Sequence, residues 1–320
     1  MSSFSYPSMI FVIPYREREE HRRFFLRYIS YILEDYDKDS YEIVFVHQCI
    51  HDIFNRGAMK NIGFIYAKHK YPRDYQNISF VFHDIDVMSS EKGLLEYQTS
   101  RGTIKHYYGF DYALGGIVSV NGFDMDKLNG FPNYWGWGLE DNCFQKRSQI
   151  NRITIDRSTF FKIGHMKILH IHDGFLKPYC DKNTWRLQND TGIDGIRSVQ
   201  QLKYSCEKKT SMGVDYIMCN VSDFYVPVDC NADEYYERNM STGNKLKVYK
   251  PPKPSKHPIQ NNTKDNHNTL HYNPVNAKVC PRKKRYSSIN ANTTPGIANT
   301  TPEITNTNQT RVNHFRWMRR

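Results

Sequence analysis

Between residues 8 and 86 the chain alternates unbroken apolar runs of strand length with longer stretches of helical period. The run 8–15, SMIFVIPY, is continuous, as expected for a strand buried on both faces. Residues 16–36 then carry Phe24, Phe25, Tyr28, Ile29, Ile32 and Leu33 at helical spacing, with charges on the opposite face. YEIVFVHQ (41–48) predicts a second buried strand, 54–70 a second helix with Met59, Ile62, Ile65 and Tyr66 inward, and ISFVFHDID (78–86) a third strand. This order predicts a mostly parallel α/β sheet with helices on both faces. Further on, 112–120 reads as a strand broken by a glycine pair, 124–131 as a short helix ended by Asn129-Gly130, and 166–174 as another strand.

In such sheets ligands bind beyond the carboxyl ends of the strands. Three polar clusters are expected at those ends: Tyr15-Arg16-Glu17-Arg18, the stretch from His47 to Arg56, and His83-Asp84-Ile85-Asp86. On a strand, alternate residues share a face, so Asp84 and Asp86 point the same way and repel unless a cation or donors neutralise them. His170-Ile171-His172 repeats the argument with two imidazoles. Asp86 with His170 and His172 forms a mixed N/O set suited to Mn²⁺, Zn²⁺ or Fe²⁺ rather than Ca²⁺. Each motif alone also reads as ordinary structure: solvated acids at a loop, or half-buried histidines bonded to backbone.

Residues 135–141 read WGWGLED. Glycine permits positive φ and close backbone approach, and indole rings offer flat apolar walls with an N–H. Beside Glu140 and Asp141 they suit a sugar ring, with one acid as hydrogen-bond acceptor and one as general base. The same stretch also reads as a tight turn with core tryptophans and acids at a helix start.

Charge separates the chain into two parts. The formal net charge is +11, but residues 229–320 hold sixteen Lys and Arg against six Asp and Glu, leaving 28 basic and 27 acidic residues in 1–228. That C-terminal part is rich in Asn, Thr and Pro and carries PRKKR at 281–285. It is expected to be a low-complexity basic tail, disordered from about 240, because it has too little apolar surface to offset backbone entropy. A near-neutral globular part speaks against a large nucleic-acid-binding face, so only weak, salt-sensitive association through the tail is expected. Seven scattered cysteines with no CxxC argue against a disulfide framework or structural zinc, and at most one or two pairs could form. No apolar run reaches the length of a membrane span or signal peptide, so the chain reads as cytoplasmic. P-loop, hydrolase-elbow and zincin motifs are absent from the sequence.

FVIPYREREEH (11–21), FNRGAMKNIGF (54–64), FHDIDVMS (82–89), GGIVSV (115–120), NGFPNYWGWGLED (129–141) and HIHD (170–173) occur in that order. Together, over about 9–225, they resemble the β-1,4-galactosyltransferase family of inverting, metal-dependent enzymes. The resemblance implies a GT-A type, Rossmann-like mixed sheet with flanking helices over 1–228, acting on a UDP-sugar donor, typically UDP-galactose, with Mn²⁺ and a glycan or glycoconjugate acceptor. It implies donor contacts from Pro14, Tyr15, Arg16, Arg18, Phe54, Asn55, Arg56, Asp84, Asp86 and Trp135. Acceptor contacts would come from Trp135, Trp137, Glu140, Asp141 and Asn142, with Asp141 as base and Glu140 holding sugar hydroxyls. The metal ligands would be Asp86, His170 and His172, a spacing similar to the xylosylprotein galactosyltransferase branch. Family members usually work in the Golgi lumen behind a membrane anchor. The family's Glu-Asp-Asp is Glu140-Asp141-Asn142 here, and 101–111 does not align with the pattern.

Overall fold

The computed structural model describes residues 6–172, 174, 176–228, 234–248 and 269–272. In chain order the elements are β1 (Met9–Tyr15), α1 (Glu19–Ile32), β2 (Tyr41–Gln48), α2 (Arg56–Lys70), β3 (Ser79–His83), β4 (Val87–Ser89), β5 (Thr103–Gly109), β6 (Ile117–Asn121), α3 (Gly122–Leu128) and α4 (Glu140–Ile150). They continue with β7 (Thr154–Asp156), β8 (Phe161–Lys162), β9 (Ile168–His170), β10 (Leu176–Tyr179), α5 (Lys182–Gln188), β11 (Gln200–Ser211), β12 (Val214–Tyr225), β13 (Tyr236–Asn239), β14 (Lys245–Val248) and β15 (Thr269–Tyr272).

The main sheet runs β15-β11-β12-β2-β1-β3-β6-β5-β7, with β8 also on β5. Its centre, β12-β2-β1-β3, is parallel, as the strand–helix–strand order predicts. Antiparallel pairs flank it: β6 turns back along β3, β5 along β6, and the β11–β12 hairpin closes the other side, while β7 and β8 run parallel to β5 at the edge. The sheet is therefore mixed. The 200–225 hairpin has no counterpart in the apolar reading, because Lys and Glu interrupt β11 and Asp, Asn and Ser interrupt β12, so neither forms a solid apolar run. Cys206 and Cys219 face each other across this hairpin and are bonded; Cys49, Cys143 and Cys180 are free.

Alternation in β1 splits the interior into two cores. Ile10 and Val12 pack with α2 residues Met59, Ile62 and Ile65 on one face. Met9, Phe11 and Ile13 pack with α1 residues Phe25, Leu26 and Ile29 on the other. Both helices lie where their apolar stripes direct them.

Three expected strands are shorter than the patterns suggest. β3 stops at His83, so Asp84 follows the strand and Ile85-Asp86 form the turn into β4. The period-two argument for the two carboxylates therefore fails. Residues 112–116 are loop, and only 117–121 form β6. β9 ends at His170, leaving His172 beyond it. In each case a turn or glycine pair interrupts the ladder. Two strands also fall where composition reads as unstructured tail: β14 pairs with β13, and β15 extends the main sheet along β11. Backbone hydrogen bonds to an exposed edge need little apolar content, which is why composition misses them. Residues 249–268 and 273–320, with the PRKKR segment, lie outside the described residues.

Candidate active site

The WGWGLED stretch resolves into a sequence of left-handed backbone steps. Gly136 has φ 83°, Gly138 φ 98°, and Leu139, the N-cap of α4, φ 75°. Side chains other than glycine rarely accept that region, and a leucine held there is strained. A Cβ on Gly136 would also meet the Pro178 carbonyl oxygen at 2.8 Å. The glycines let the chain turn sharply, and the turn delivers Glu140 and Asp141 as the first residues of α4, where the helix dipole favours anions.

The two indoles part ways. Trp135 is 5% exposed, stacks on Phe224 with ring centroids 5.4 Å apart, and donates its Nε1–H to the Val228 carbonyl at 2.7 Å. The expectation that it lines both substrate pockets is corrected: its polar handle is already used and its faces are packed. Trp137 is 37% exposed and is the ring a ligand can reach.

Arg56, at the start of α2, gathers three carboxylates. Its Nε and Nη2 donate to Asp84 Oδ1 at 3.0 and 2.5 Å, and its Nη1 to Glu140 Oε1 at 2.6 Å and Asp141 Oδ2 at 2.7 Å. Lys60, one helical turn on and 1% exposed, donates to Asp141 Oδ1 at 2.8 Å. Its ammonium also lies 4.2 Å from the centre of the Phe131 ring. Two cations thus face three acids. Burial raises the Glu140 carboxyl, helped by the charge of Asp141, and Arg56 and Lys60 do not fully oppose this. At Asp141 burial also pulls upward, but Arg56 and Lys60 outweigh it and hold the carboxyl below the usual aspartate range. Neighbouring acids driven apart in this way take different roles: Asp141 stays ionised, and Glu140 is the one that holds a proton more readily. Asp141 is also the more open of the two, its side chain 17% exposed against 7%.

Asp86, His170 and His172 come together through a short antiparallel pair. β4 and β9 place Val87 opposite His170, and the Ile171 N–H donates to the Asp86 carbonyl at 2.8 Å. The two imidazole rings lie 4.1 Å apart. Tyr108 Oη lies 3.1 Å from His170 Nδ1, which leaves Nε2 to face a ligand. The Asp86 carboxylate pairs with Arg18 at 3.4 Å. Among the described residues no three His, Cys, Asp or Glu side chains are already closed around one point. The donor set nevertheless fits a divalent transition metal: two imidazoles and a carboxylate on adjacent backbone, one imidazole oriented by a phenol.

The remaining predicted residues divide between surface and scaffold. Arg16 donates to the Asp52 carbonyl at 2.6 Å and lies over the Phe54 ring. Pro14 and Tyr15 are buried at the end of β1. Asn55 is fully buried; its carbonyl oxygen caps α2 by accepting from Ala58 N–H, and its amide donates to the Asn133 carbonyl. Both ends of that side chain are committed to the scaffold, so Asn55 is corrected from a donor contact to a positioning residue. Asn142 donates to the Tyr112 carbonyl at 3.2 Å.

Several side chains at the site escaped the sequence reading. Lys60 sits on the inner face of α2, where a lysine carries no pattern signal. Tyr108 lies in the segment that does not align. Phe110 and Tyr112 form an exposed stacked pair, centroids 5.1 Å apart, on the loop that Asn142 touches. Lys177 on β10 is half-buried, and its pKa is pushed down to about 8 by burial and then by Arg18, with Asp86 and Asp84 opposing.

Comparison with known proteins matches this chain to one family and to its fold. A model for the N-terminal region of glycosyl transferase group 7 matches residues 4–97, and one for the N-terminal domain of galactosyltransferase matches 98–173. Drosophila melanogaster β-1,4-galactosyltransferase 7 is 28% identical over 70% of this chain and 70% of its own length. The Caenorhabditis elegans xylosylprotein 4-β-galactosyltransferase is 27% identical over 68% of this chain and 79% of its own. Human β-1,4-galactosyltransferase 4 is 30% identical, but the match spans only 46% of this chain and 44% of the human protein. A solved structure of a mutant of the Drosophila enzyme, in complex with manganese, UDP-Gal and xylobiose, superposes with a TM-score of 0.56 at 20% identity, covering 69% of this chain and 94% of that one. The two adjoining family matches together take in residues 4–173, more than half of the 320 residues, and the chain belongs to the β-1,4-galactosyltransferase family.

Proposed function

We propose that this protein transfers a hexose, galactose from UDP-galactose, onto a hydroxyl of a glycan acceptor, with inversion to a β linkage. The observation that carries the reading is the divergent pair at the start of α4. Asp141 is kept ionised by Arg56 and Lys60 beside a more readily protonated Glu140, and the same Arg56 also holds Asp84. Relatives named for galactosyl transfer to xylosylprotein, and the Drosophila structure holding manganese, UDP-Gal and xylobiose, support the choice of donor and acceptor class.

Asp141 is the general base. Each of its oxygens accepts one hydrogen bond from a cation and keeps a second lone pair, so the acceptor hydroxyl can deliver its proton there. Glu140 and Trp137 hold the sugar, the first by hydrogen bonding and the second by its open ring face. Arg16 and Arg18 lie at the carboxyl end of β1, where the nucleotide phosphates are expected in a sheet of this kind. Asp86, His170 and His172 would hold Mn²⁺, which neutralises charge on the diphosphate when bound. Attack from the face opposite the departing UDP converts an α-linked donor into a β-linked product.

The test is a panel of UDP-hexoses and UDP-N-acetylhexosamines with MnCl₂, with and without xylobiose as acceptor. Expected is UDP release that requires acceptor and is fastest with UDP-galactose. Fastest turnover with an N-acetylated donor would reassign the sugar. Acceptor-independent release would make the protein a hydrolase, and no turnover with any donor would leave a non-catalytic sugar-binding module.

A further inference from the structure

His106 lies on β5, 1% exposed, and is not one of the residues expected to touch donor, acceptor or metal. Its Nε2 is 3.2 Å from the Tyr108 carbonyl and 3.2 Å from the Gly115 carbonyl. Those two carbonyls flank the loop that carries Phe110 and Tyr112. On the other side of the ring, Arg157 donates its Nε–H to Nδ1 at 3.1 Å, and the same guanidinium donates to Gln145 Oε1 of α4 at 2.7 Å. Arg157 occupies Nδ1 as donor, so the ring proton resides on Nε2 and points at both carbonyls. Burial, reinforced by the Arg157 charge, pushes the His106 pKa down to about 4, so the ring keeps this neutral form near pH 7.

Both ends of the clamped loop lead to the reaction. Tyr108 places its hydroxyl on His170. Gly115 lies against the Asp141 carboxylate, and Leu114 N–H donates to the Asp141 carbonyl at 3.2 Å. We infer that His106 is a positioning residue: it clamps the loop at 109–116 and thereby sets the spacing between the base Asp141 and the metal-side His170. The inference rests on the proposed transferase reading for its kinetic consequence, and on the geometry alone for its structural one. Gln145 and Arg157 extend the clamp to α4, so the base-bearing helix and the β5–β6 loop are held by one buried chain of hydrogen bonds.

The experiment compares His106→Leu, His106→Gln and Arg157→Leu with wild type, using kcat with UDP-galactose and xylobiose, UDP affinity, and amide hydrogen exchange. A glutamine keeps an N–H donor at similar reach. His106→Leu is expected to lower kcat by about 10- to 100-fold, the scale of an ångström-level misplacement, with UDP affinity changed less than about threefold. Exchange at Gly115 and Gly116 should rise about tenfold while β1 and β2 stay protected, with Arg157→Leu intermediate and His106→Gln close to wild type. A folded His106→Leu protein with kcat within about twofold of wild type would overturn the positioning role, as would a His106→Gln protein no better than His106→Leu. If His106→Leu does not fold, Arg157→Leu carries the comparison, and unchanged kcat and loop exchange there would overturn the inference. If wild type proves inactive with every donor, the functional reading fails, and loop exchange alone decides for or against the clamp.

Discussion

Gly115→Ala is the sharpest probe of Asp141 as the proposed base. Gly115 does not have a left-handed φ, so its backbone accepts alanine without strain. The added Cβ, however, would stand 2.3 Å from Asp141 Oδ2 and 2.9 Å from its Cγ. Ordinary contact begins near 3.4 Å, so the carboxylate must retreat by about 1 Å. It is not free to do so cheaply, because Arg56 holds Oδ2 at 2.7 Å and Lys60 holds Oδ1 at 2.8 Å. Stretching one such charge-assisted bond costs about 1.5–3 kcal/mol, and a base displaced by 1 Å loses about 10²-fold in rate. Expected is kcat reduced about 100-fold, UDP binding by calorimetry unchanged, and a melting temperature lowered by a few degrees. Gly116→Ala is the control. There φ is +70°, and the Cβ would meet the Tyr108 carbonyl oxygen at 2.2 Å, so folding is damaged along with activity. A Gly115→Ala enzyme turning over within about threefold of wild type would refute Asp141 as the base, because its geometry could not then matter.

The remaining expectations separate scaffold from chemistry. Trp135→Ala should cost about 3–5 kcal/mol of folding stability in a denaturant titration, whereas Trp137→Ala should leave stability nearly unchanged and raise the acceptor KM; equal effects on stability would contradict the assignment of the two rings. Arg56→Met leaves Asp84, Glu140 and Asp141 with Lys60 as the nearest cation and should destabilise by about 3–5 kcal/mol at neutral pH. Because the Asp141 carboxyl is held low by Arg56 and Lys60 against burial, that stabilisation is present above the unfolded aspartate pKa and is lost as pH falls through the lower folded value. The melting-temperature gap between wild type and Arg56→Met should therefore narrow with acidification, and a gap that stays constant would exclude this origin. His172→Ala should shift the Mn²⁺ activation curve to higher concentration; an unaltered titration removes His172 from the metal site.

The central sheet was legible because its strands are solid apolar runs. β2 was expected at 41–48 and lies at Tyr41–Gln48, and the two flanking helices follow their stripes. What escaped was chain held by something other than apolar period. β11 and β12 are interrupted by polar and charged residues, and Cys206 and Cys219 join them across the hairpin. β15 is held by edge pairing. At the site, residue types with a chemical signature were readable: two aspartates, two histidines, and acids after tryptophan. Their supports were not. Lys60 reads as one more helix lysine until its ammonium is seen on Asp141, and His106 reads as a core histidine until both carbonyls and Arg157 are placed around it. Even the readable motifs misled in detail. Period two predicts a shared face for Asp84 and Asp86, yet a turn carries Asp86, and the two are separated by which arginine they meet.

Asn142 shows how one departure from the family pattern acquires a physical meaning. A carboxylate at this position would accept hydrogen bonds only, and the partner here is the Tyr112 carbonyl, which also accepts only. The amide can donate where an ionised acid would repel. The substitution therefore removes a negative charge beside Asp141 and at the same time ties α4 to the loop bearing the exposed Phe110–Tyr112 pair. Removing that charge leaves Asp141 more easily kept ionised by Arg56 and Lys60, since one neighbouring anion fewer opposes it. Tying the loop fixes two flat rings next to the base, where an acceptor's second sugar or aglycone would rest its apolar face. Under the proposed function the acceptor side of this site would be set less by charge than by stacked aromatic surface, and a difference in acceptor preference from relatives with two aspartates should follow the rings, not the acids.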